Sequence, residues 1–325
     1  MRYLLLTVFL CGLFSWTCNA KGRPTVVSAE IYGYQGDKVH FDFLEKEGIN
    51  MEFPYKDGQL MEFTVDLDDI TTLKLNTFIE VFLQPGDSIH LKVTYKGRSY
   101  DKVEFSGTPA AVTVNTKVYE KEMLQRERRY KTNIPAMLVT QVDAKKFHEA
   151  TVQELKDEKA ILDKVKGEIT PEMYNMVLSS IEGTLLTNLI TYPYASAEVH
   201  KKKLEDCMTA DYWSVLNEYK LRDDKASLRN RAYMCMLSPY KDYVREREAR
   251  AAGKEYKAPT SIEEQYKDLA AFYEGALRDT ALFVFLYDAV AANKDFDMVE
   301  KLVKDYLKKY NKEKEYKKIL NQVMQ

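Results

Sequence analysis

Apolar and polar residues alternate along the first third of the chain, between residues 25 and 106. In the segment KVHFDFLE, for example, Val39, Phe41 and Phe43 fall on one side of an extended chain and polar residues fall on the other. Turn-forming residues separate the alternating segments at 35–37, 56–58, 85–87 and 96–98. The pattern predicts six or seven strands, and we expect an antiparallel β-sandwich domain over residues 21–107.

The hydrophobic period changes after residue 107. Between residues 143 and 166, apolar residues recur at intervals typical of a helix, with charged residues between them. Turn residues also become sparse from this point on. We expect eight or nine helices in an all-α helical domain over residues 108–325, so that the whole chain is an α+β multidomain protein.

Signals for helix ends support this assignment. A helix start is marked by Thr170 as N-cap with proline at the first helical position, and residues 260–264 contain two overlapping capping boxes. A helix stop is marked by Gly253 with Pro259 after it.

Two helical segments stand out by their apolar surface. Residues 276–292, ALRDTALFVFLYDAVAA, are apolar almost all round and predict a buried central helix. Further on, Val299, Leu302 and Tyr306 belong to one apolar stripe. We expect that stripe to cover the core of its own domain rather than to dock a partner.

The first twenty residues, MRYLLLTVFLCGLFSWTCNA, have a basic start, a short apolar run and small residues at the end. This pattern is typical of a secretory signal peptide over residues 1–20, cleaved between Ala20 and Lys21. The run is shorter than the roughly 20 residues of a spanning helix, and no later segment predicts one. We expect an exported protein, periplasmic or extracellular, and favour cleavage over a lipid anchor on Cys18 because the residues before Cys18 are bulky.

Charge excludes one class of partner. The chain has 48 basic and 50 acidic side chains, a formal net charge of −2. Such a balance argues against nucleic acid as a ligand. The basic clusters at 126–131 and 201–203 are interpreted as solvated helix residues, and cations suit the last turn of a helix.

Cysteine is rare in the chain. Outside the signal peptide the sequence has Cys207 and Cys235, far apart and without the C-x-x-C spacing of a redox centre. In an oxidising compartment the two could form a disulfide between neighbouring helices. Two separate buried thiols are the alternative, and both interpretations remain open.

Familiar catalytic, metal-binding and cofactor-binding motifs are missing from the sequence. His148 begins a match to H-E-x-x-H, but Val152 occupies the position of the second histidine. Ser238 and Lys241 match S-x-x-K without the accompanying K-T-G or S-D-N, and Ser238 is better explained as an N-cap before Pro239. Carboxylate pairs are too numerous to choose between. We assign no catalytic, metal-binding or cofactor-binding residue and expect no cofactor.

Tyrosine is the one unusual component, with 23 residues, many of them in the helical half. A tyrosine side chain combines a large contact area with a polar group, which suits both ligand sites and the half-buried rim of a helical bundle. We favour the rim. If the protein has a ligand site, we expect it at the junction between sandwich and helices.

The turn Pro85-Gly86-Asp87 joins two predicted strands in EVFLQPGDSIHLKV. Proline fixes φ at the first corner, glycine accepts the positive φ of a type II turn, and aspartate can bond to nearby backbone. We therefore assign Pro85, Gly86 and Asp87 as structural turn residues.

The motifs FLQPGDSIHL (82–91) and EFSGTPA (104–110), followed by a long helical region, resemble the N-terminal half of the secreted thioredoxin-like disulfide reductases (TlpA-like proteins) common in Bacteroidetes. Outside these motifs the similarity lies in the order and type of elements. In that family a thioredoxin domain with a W-C-x-x-C motif follows the helices. This sequence has no W-C-x-x-C, so no catalytic residue of the family can be transferred to it.

The sequence leaves two functional hypotheses. The favoured one is a non-enzymatic envelope protein that binds a partner protein or a small ligand. The alternative is an accessory role in thiol-disulfide exchange, either through Cys207 and Cys235 or by docking a thioredoxin-like partner.

Overall fold

A computed structural model describes residues 22–46, 49–128, 135–292 and 295–324. The predicted signal peptide, with the cleavage site at Ala20 and Lys21 and with Cys18, lies outside the described residues. Within them the chain forms eight strands followed by ten α-helices. The predicted α+β fold, a β-sandwich followed by a helical region, is confirmed.

The strands form two four-stranded sheets. Their bounds are β1 Arg23–Tyr32, β2 Lys38–Phe43, β3 Asn50–Pro54, β4 Leu60–Leu67, β5 Thr71–Leu75, β6 Ile79–Leu83, β7 Ser88–Lys96 and β8 Ser99–Gly107. One sheet has the order β4-β1-β7-β8 and the other has the order β3-β2-β5-β6.

The inner faces of the two sheets share one hydrophobic core. Val39, Phe41 and Phe43 of β2 are all buried there, as their alternation predicts. Residues of β1 such as Val27 and Ile31 belong to the same core from the opposite sheet. This is the face-to-face packing of a sandwich.

One strand pairing differs from a purely antiparallel sandwich. β1 and β7 run parallel, with Val27 opposite Ile89, whereas the other described pairings are antiparallel. Five strands lie between β1 and β7 along the chain, so their relative direction depends on the overall topology. Local alternation carries no information about it.

The alternating pattern of the sequence does not predict one of the hairpins. Residues 73–84 read as a single alternating segment, but the structure divides them into β5 and β6. Asn76 and Thr77 have positive φ values of 49° and 68°, and the Phe78 amide donates to the Leu75 carbonyl over 3.2 Å. The turn contains neither glycine nor proline, the residues that usually mark one.

The turn between β6 and β7 has the geometry expected of a structural corner. Gly86 has φ +91°, and the Asp87 amide donates to the Gln84 carbonyl over 3.1 Å. The Asp87 carboxylate accepts from the Gln84 amide over 2.8 Å, and Gly86 donates its amide to the Thr25 hydroxyl over 3.1 Å. Burial raises the pKa of Asp87, and its bonds with Gln84 oppose that rise.

The helices follow at once. Their bounds are α1 Pro109–Glu127, α2 Pro135–Leu138, α3 Ala144–Asp163, α4 Pro171–His200, α5 Ser214–Glu218, α6 Arg231–Ala251, α7 Ile262–Phe272, α8 Gly275–Ala291, α9 Phe296–Lys309 and α10 Lys314–Val323. Short 3-10 turns lie at Leu204–Cys207 and Ser227–Arg229.

Helix ends largely follow their sequence signals. Thr170 caps α4 by accepting from the Met173 amide, and Ser261 forms a capping box with Glu264 at the start of α7. After α6, Gly253 adopts φ +68°. These three signals are confirmed.

The predicted helix start at Ser238-Pro239 is wrong. Both residues lie inside α6, which begins eight positions earlier with Asn230 as N-cap. The Asn230 side chain accepts from the Tyr233 amide over 3.1 Å, so the cap function is already filled. Lys241, the last residue of the S-x-x-K match, is buried and ion-paired with Asp268.

The helical region has its own core, and its tyrosines are deeper than expected. Helix α8 lies in this core as predicted, and Val299, Leu302 and Tyr306 of α9 pack into it. The predicted half-buried tyrosine rim is wrong for several residues, because their rings are almost fully enclosed: Tyr192, Tyr212, Tyr233, Tyr243 and Tyr306.

A third core joins the sandwich to the helices. Phe82 of β6 packs with Val114 and Val118 of α1 and with apolar residues of α3 and α4. Helix α1 starts two residues after β8 ends, so it lies directly against the sheets. The sandwich and the helices therefore share a continuous packed boundary.

Candidate functional site

Several cavities open along this boundary in the described part of the chain, among them cavities of about 410, 470 and 590 Å³. The candidate site is the cavity of about 470 Å³, which lies between the sandwich strands β5 to β8 and the helices α1, α3 and α4. We call it the junction cleft. Its lining includes Phe78, Arg98, Tyr100, Lys121, Gln125 and Glu158.

Two buried glutamates stand side by side on α3, one of them in the cleft wall. Glu154 and Glu158 are 2% and 1% exposed. The Gln125 amide donates to Glu158 over 2.5 Å. Burial raises the pKa of Glu158, the charge of Lys121 opposes the rise, and Glu154 adds to it.

Lys121 of α1 forms a long ion pair with Glu158. Its side chain is only 12% exposed, and its Nζ lies 3.9 Å from Glu158 Oε2. That separation is longer than a hydrogen bond. Within the described part of the chain this ammonium makes no hydrogen bond.

Tyr100 of β8 contributes an unsatisfied hydroxyl. The residue is 3% exposed, and its hydroxyl oxygen is buried without a hydrogen-bond partner. Arg126 covers the ring at 3.7 Å, donates to the Tyr100 carbonyl over 2.7 Å and pairs with Glu122 at 2.9 Å. The ring is therefore fixed in place, but its hydroxyl has no hydrogen-bond partner. This is unusual for a buried polar group.

The mouth of the cleft carries a strained hairpin tip. Thr77 is β-branched and has φ +68°, a conformation that costs on the order of 1 to 3 kcal/mol. Phe78 next to it is 69% exposed. Lys74 and Glu80 pair with each other at 3.3 Å, whereas Arg98 is exposed and forms no ion pair with the described residues.

The second cavity, about 410 Å³, lies between the end of β2 and helices α6, α8 and α10. Glu45 lines it and accepts from the Thr72 amide over 2.6 Å and from the hydroxyls of Thr71 and Thr72. Burial raises the pKa of Glu45 to about 7. Arg229 pairs there with Asp69 at 3.2 Å, although its Nε has no partner. Because Glu45 is fully bonded within the protein, we place the candidate site in the junction cleft.

The residues singled out from the sequence lie elsewhere. The turn residues Pro85, Gly86 and Asp87 do not line the junction cleft. Cys207 and Cys235 are free thiols rather than a disulfide.

The two cysteines lie in different surroundings. Cys207 is buried in the 3-10 turn after α4, close to Tyr192, whereas Cys235 lies on α6 close to Arg231 and Asp288. Burial raises the pKa of Cys235. This is the opposite of the change that makes a thiol reactive.

The acid pair of the cleft could not be chosen from composition, but the sequence did contain a signal for it. Phe147, Thr151, Glu154, Glu158 and Leu162 recur at helical spacing and are all buried on α3. Two acids therefore occupy the apolar stripe of an amphipathic helix. Acids in such positions are rarely buried unless they are paired.

No group of three or more histidine, cysteine, aspartate or glutamate side chains among the described residues is arranged to hold a metal ion. None of their helices combines the length and apolar character needed to cross a membrane.

Comparisons of the chain with protein-family models, with curated proteins and with solved structures find no match.

Proposed function

We propose that this protein is a non-enzymatic, exported envelope protein that acts as a binding module, with a small ligand held in the junction cleft. The observation that carries the proposal is the buried Tyr100 hydroxyl, which has no hydrogen-bond partner and lines the same cavity as the Lys121 ammonium. A ligand that bonded to both groups would give the Tyr100 hydroxyl its missing partner.

The form of the cleft supports the same proposal. Its volume of about 470 Å³ lies within the roughly 300 to 1,000 Å³ of small-molecule sites. Both the sandwich and the helices contribute walls, and sites of this kind occur preferentially at such junctions. No histidine or cysteine is among its lining residues, which favours binding over nucleophilic catalysis.

We propose that the module is related to TlpA-like proteins, because the motifs FLQPGDSIHL and EFSGTPA resemble theirs. We favour a module of that type that works without its own redox centre. Cys235 gives the thiol-disulfide alternative no support, because its raised pKa lowers the thiolate fraction. The other version of that alternative is that a thioredoxin-like partner docks on this protein. Pull-down of the tagged protein from envelope extracts tests it.

Ligand binding is tested by thermal unfolding of the protein in the presence of small-molecule fractions from an envelope extract. We expect at least one fraction to raise the melting temperature, because a ligand bound to the folded state alone stabilises it. Tyr100→Phe should weaken that binding about 3- to 10-fold, the effect of one lost hydrogen bond.

Tyr194→Phe is the matched control, since Tyr194 lies on α4 outside the cleft and its hydroxyl bonds to Glu246. It should leave binding unchanged. If no fraction stabilised the protein, or if both variants behaved alike, a ligand role for the junction cleft would be refuted.

A further inference from the structure

We propose that the junction cleft binds the oxyanion of a small organic acid, a carboxylate or a phosphate monoester, between the Lys121 ammonium and the Tyr100 hydroxyl, and that Glu158 competes with this oxyanion for Lys121. The inference rests on the proposed function and names the ligand class for the same cleft.

The first argument concerns hydrogen-bonding capacity. The Lys121 ammonium can only donate, and the Tyr100 hydroxyl has a proton to donate as well. Neither finds a hydrogen-bonding acceptor among the described residues. The missing partner is therefore an acceptor, and an anionic oxygen is the strongest acceptor for an ammonium.

The second argument concerns charge. Lys74 is paired with Glu80, and Arg126 is paired with Glu122, so these four lining charges compensate each other. What remains among the lining residues is Lys121 and Arg98 against Glu158. The cleft then has a surplus of one positive charge, which favours an anion.

The third argument concerns competition for Lys121. Glu158 meets Lys121 and Gln125 from α1 and Glu154 from its own helix. Helix α4 faces the cleft with uncharged residues, among them Ser180 and Thr184. The sandwich contributes the pair of Lys74 with Glu80, the tyrosines Tyr95 and Tyr100, and Arg98 at the mouth.

Glu158 is thus the anion that competes with a ligand for Lys121. When Glu158 gains a proton, it no longer attracts Lys121, and the ammonium is free to bind the ligand. Anion binding should therefore strengthen as the pH falls.

The remaining walls suit an apolar body on the ligand. Phe78 is exposed at the mouth, and Ile181 and Leu185 of α4 line the interior. A small aromatic acid would place its anion inward and its ring against Phe78. Phenylacetate and phenyl phosphate are therefore suitable probes, and 2-phenylethanol is the neutral probe of similar shape.

The test is calorimetric titration of the full chain with each probe at pH 6 and at pH 8. Phenylacetate has the same charge at both values, so a change in its affinity reports the protein. We expect it to bind at least 10-fold more tightly than 2-phenylethanol, and several-fold more tightly at pH 6 than at pH 8. The ratio between phenyl phosphate and phenylacetate distinguishes a phosphate site from a carboxylate site.

Three variants assign the effect to the groups named. Lys121→Met should weaken phenylacetate binding more than 10-fold, and Lys121→Arg, which keeps the charge, should retain most of it. Glu158→Gln should bind at pH 8 as tightly as the unaltered protein binds at pH 6. Lys267→Met is the matched control, because Lys267 is an exposed residue of α7 outside the cleft.

Equal affinity for phenylacetate and 2-phenylethanol would overturn the anion assignment, and so would unchanged binding in Lys121→Met or no binding of either acid. Such a result would leave the proposed function intact if an extract fraction still stabilised the protein in a Tyr100-dependent manner. If no fraction did so either, both proposals would fail.

Discussion

Asn115 illustrates how much of the junction depends on one side chain. It is fully buried on α1, and its amide donates to the Phe82 carbonyl over 2.9 Å while its carbonyl accepts from the Phe82 amide over 2.7 Å. The same amide also donates to the Ala111 carbonyl over 2.9 Å. Phe82 belongs to β6, the edge strand of its sheet. Asn115 therefore bonds to this edge as a neighbouring strand would, which protects the edge and ties α1 to the sandwich.

Asn115→Ala should lower the free energy of unfolding by about 2 to 4 kcal/mol, because it leaves two buried backbone groups of Phe82 without partners. Urea unfolding followed by circular dichroism measures the change. Thr116→Ala, at the next and exposed position of α1, should stay within about 0.5 kcal/mol. Similar losses in both variants would show that helix propensity rather than the Phe82 bonds matters here.

Thr77 carries backbone strain near the cleft, because Asn-Gly is the preferred pair for a turn with two positive φ values. Thr77→Gly should raise the free energy of unfolding by about 1 kcal/mol through relief of backbone strain. Gly97 has the same φ of +68° in open space, so Gly97→Ala should change stability by a similar amount in the opposite direction. A loss of stability in Thr77→Gly would contradict the assignment of strain.

At the scale of secondary-structure elements, the sequence predicts what depends on local periodicity. The strands of the sandwich, the buried helix α8 and the cap at Thr170 all have such local signals, and all are found. The hairpin at Asn76-Thr77 was missed because its turn has neither glycine nor proline. The start of α6 was misplaced because Ser238-Pro239 imitates an N-cap in the middle of a helix.

The candidate site was predictable only in its location. The junction of sandwich and helices was named in advance, but Tyr100 and Lys121 are ordinary residues in the sequence. Their importance depends on missing partners, and partners are defined by tertiary packing. The burial of Glu154 and Glu158 could have been predicted from the sequence, because the two acids interrupt the apolar stripe of α3.

Helices α4 and α6 approach each other closely at Gly183. A Cβ atom added at Gly183 would lie 2.4 Å from the Tyr233 amide nitrogen, far inside van der Waals contact with the backbone of α6. Backbone at this distance cannot move aside as a flexible side chain could. The glycine therefore sets the separation of the two helices that enclose much of the helical core.

Gly183→Ala should destabilise the protein by about 1 to 3 kcal/mol through overpacking, even though alanine is the better helix former by about 1 kcal/mol. Gly167→Ala is the matched control, since Gly167 is exposed and has no atom within 4 Å of an added Cβ. Thermal and urea unfolding of both variants provide the comparison. A stabilised Gly183→Ala variant would mean that α4 and α6 separate without loss of packing.

Across the whole molecule, several carboxyls are removed from water close to the boundary between sheets and helices. Burial raises the pKa of Glu45 to about 7 and raises the pKa of Asp87, Glu122 and Glu158 as well. Packing a sandwich directly against helices thus encloses acids that an exposed boundary would leave hydrated. The stability of the molecule should therefore depend on pH in the neutral range.

The sign of that dependence follows from proton binding. A carboxyl with a raised pKa holds more protons in the folded state than in the unfolded state, so the free energy of unfolding falls as the pH rises from about 4.5 towards the folded-state value. His148 has the opposite effect on the free energy of unfolding. Burial lowers its pKa, so below about pH 6.5 the unfolded state binds more protons than the folded state, and stability falls as the pH falls. More carboxyls have a raised pKa than histidines have a lowered one. We therefore expect the free energy of unfolding to decrease from pH 5 to pH 8.

Glu158→Gln should reduce this decrease, because glutamine has no charge to bury at pH 8. We expect the variant to be about 1 to 2 kcal/mol more stable than the unaltered protein at pH 8 and close to it at pH 5, in urea unfolding at the two values. Glu62→Gln, an exposed position on β4, should leave the dependence unchanged. If Glu158→Gln shifted stability equally at both pH values, its effect would come from altered packing. The ionisation of Glu158 would then have no part in the pH dependence of stability.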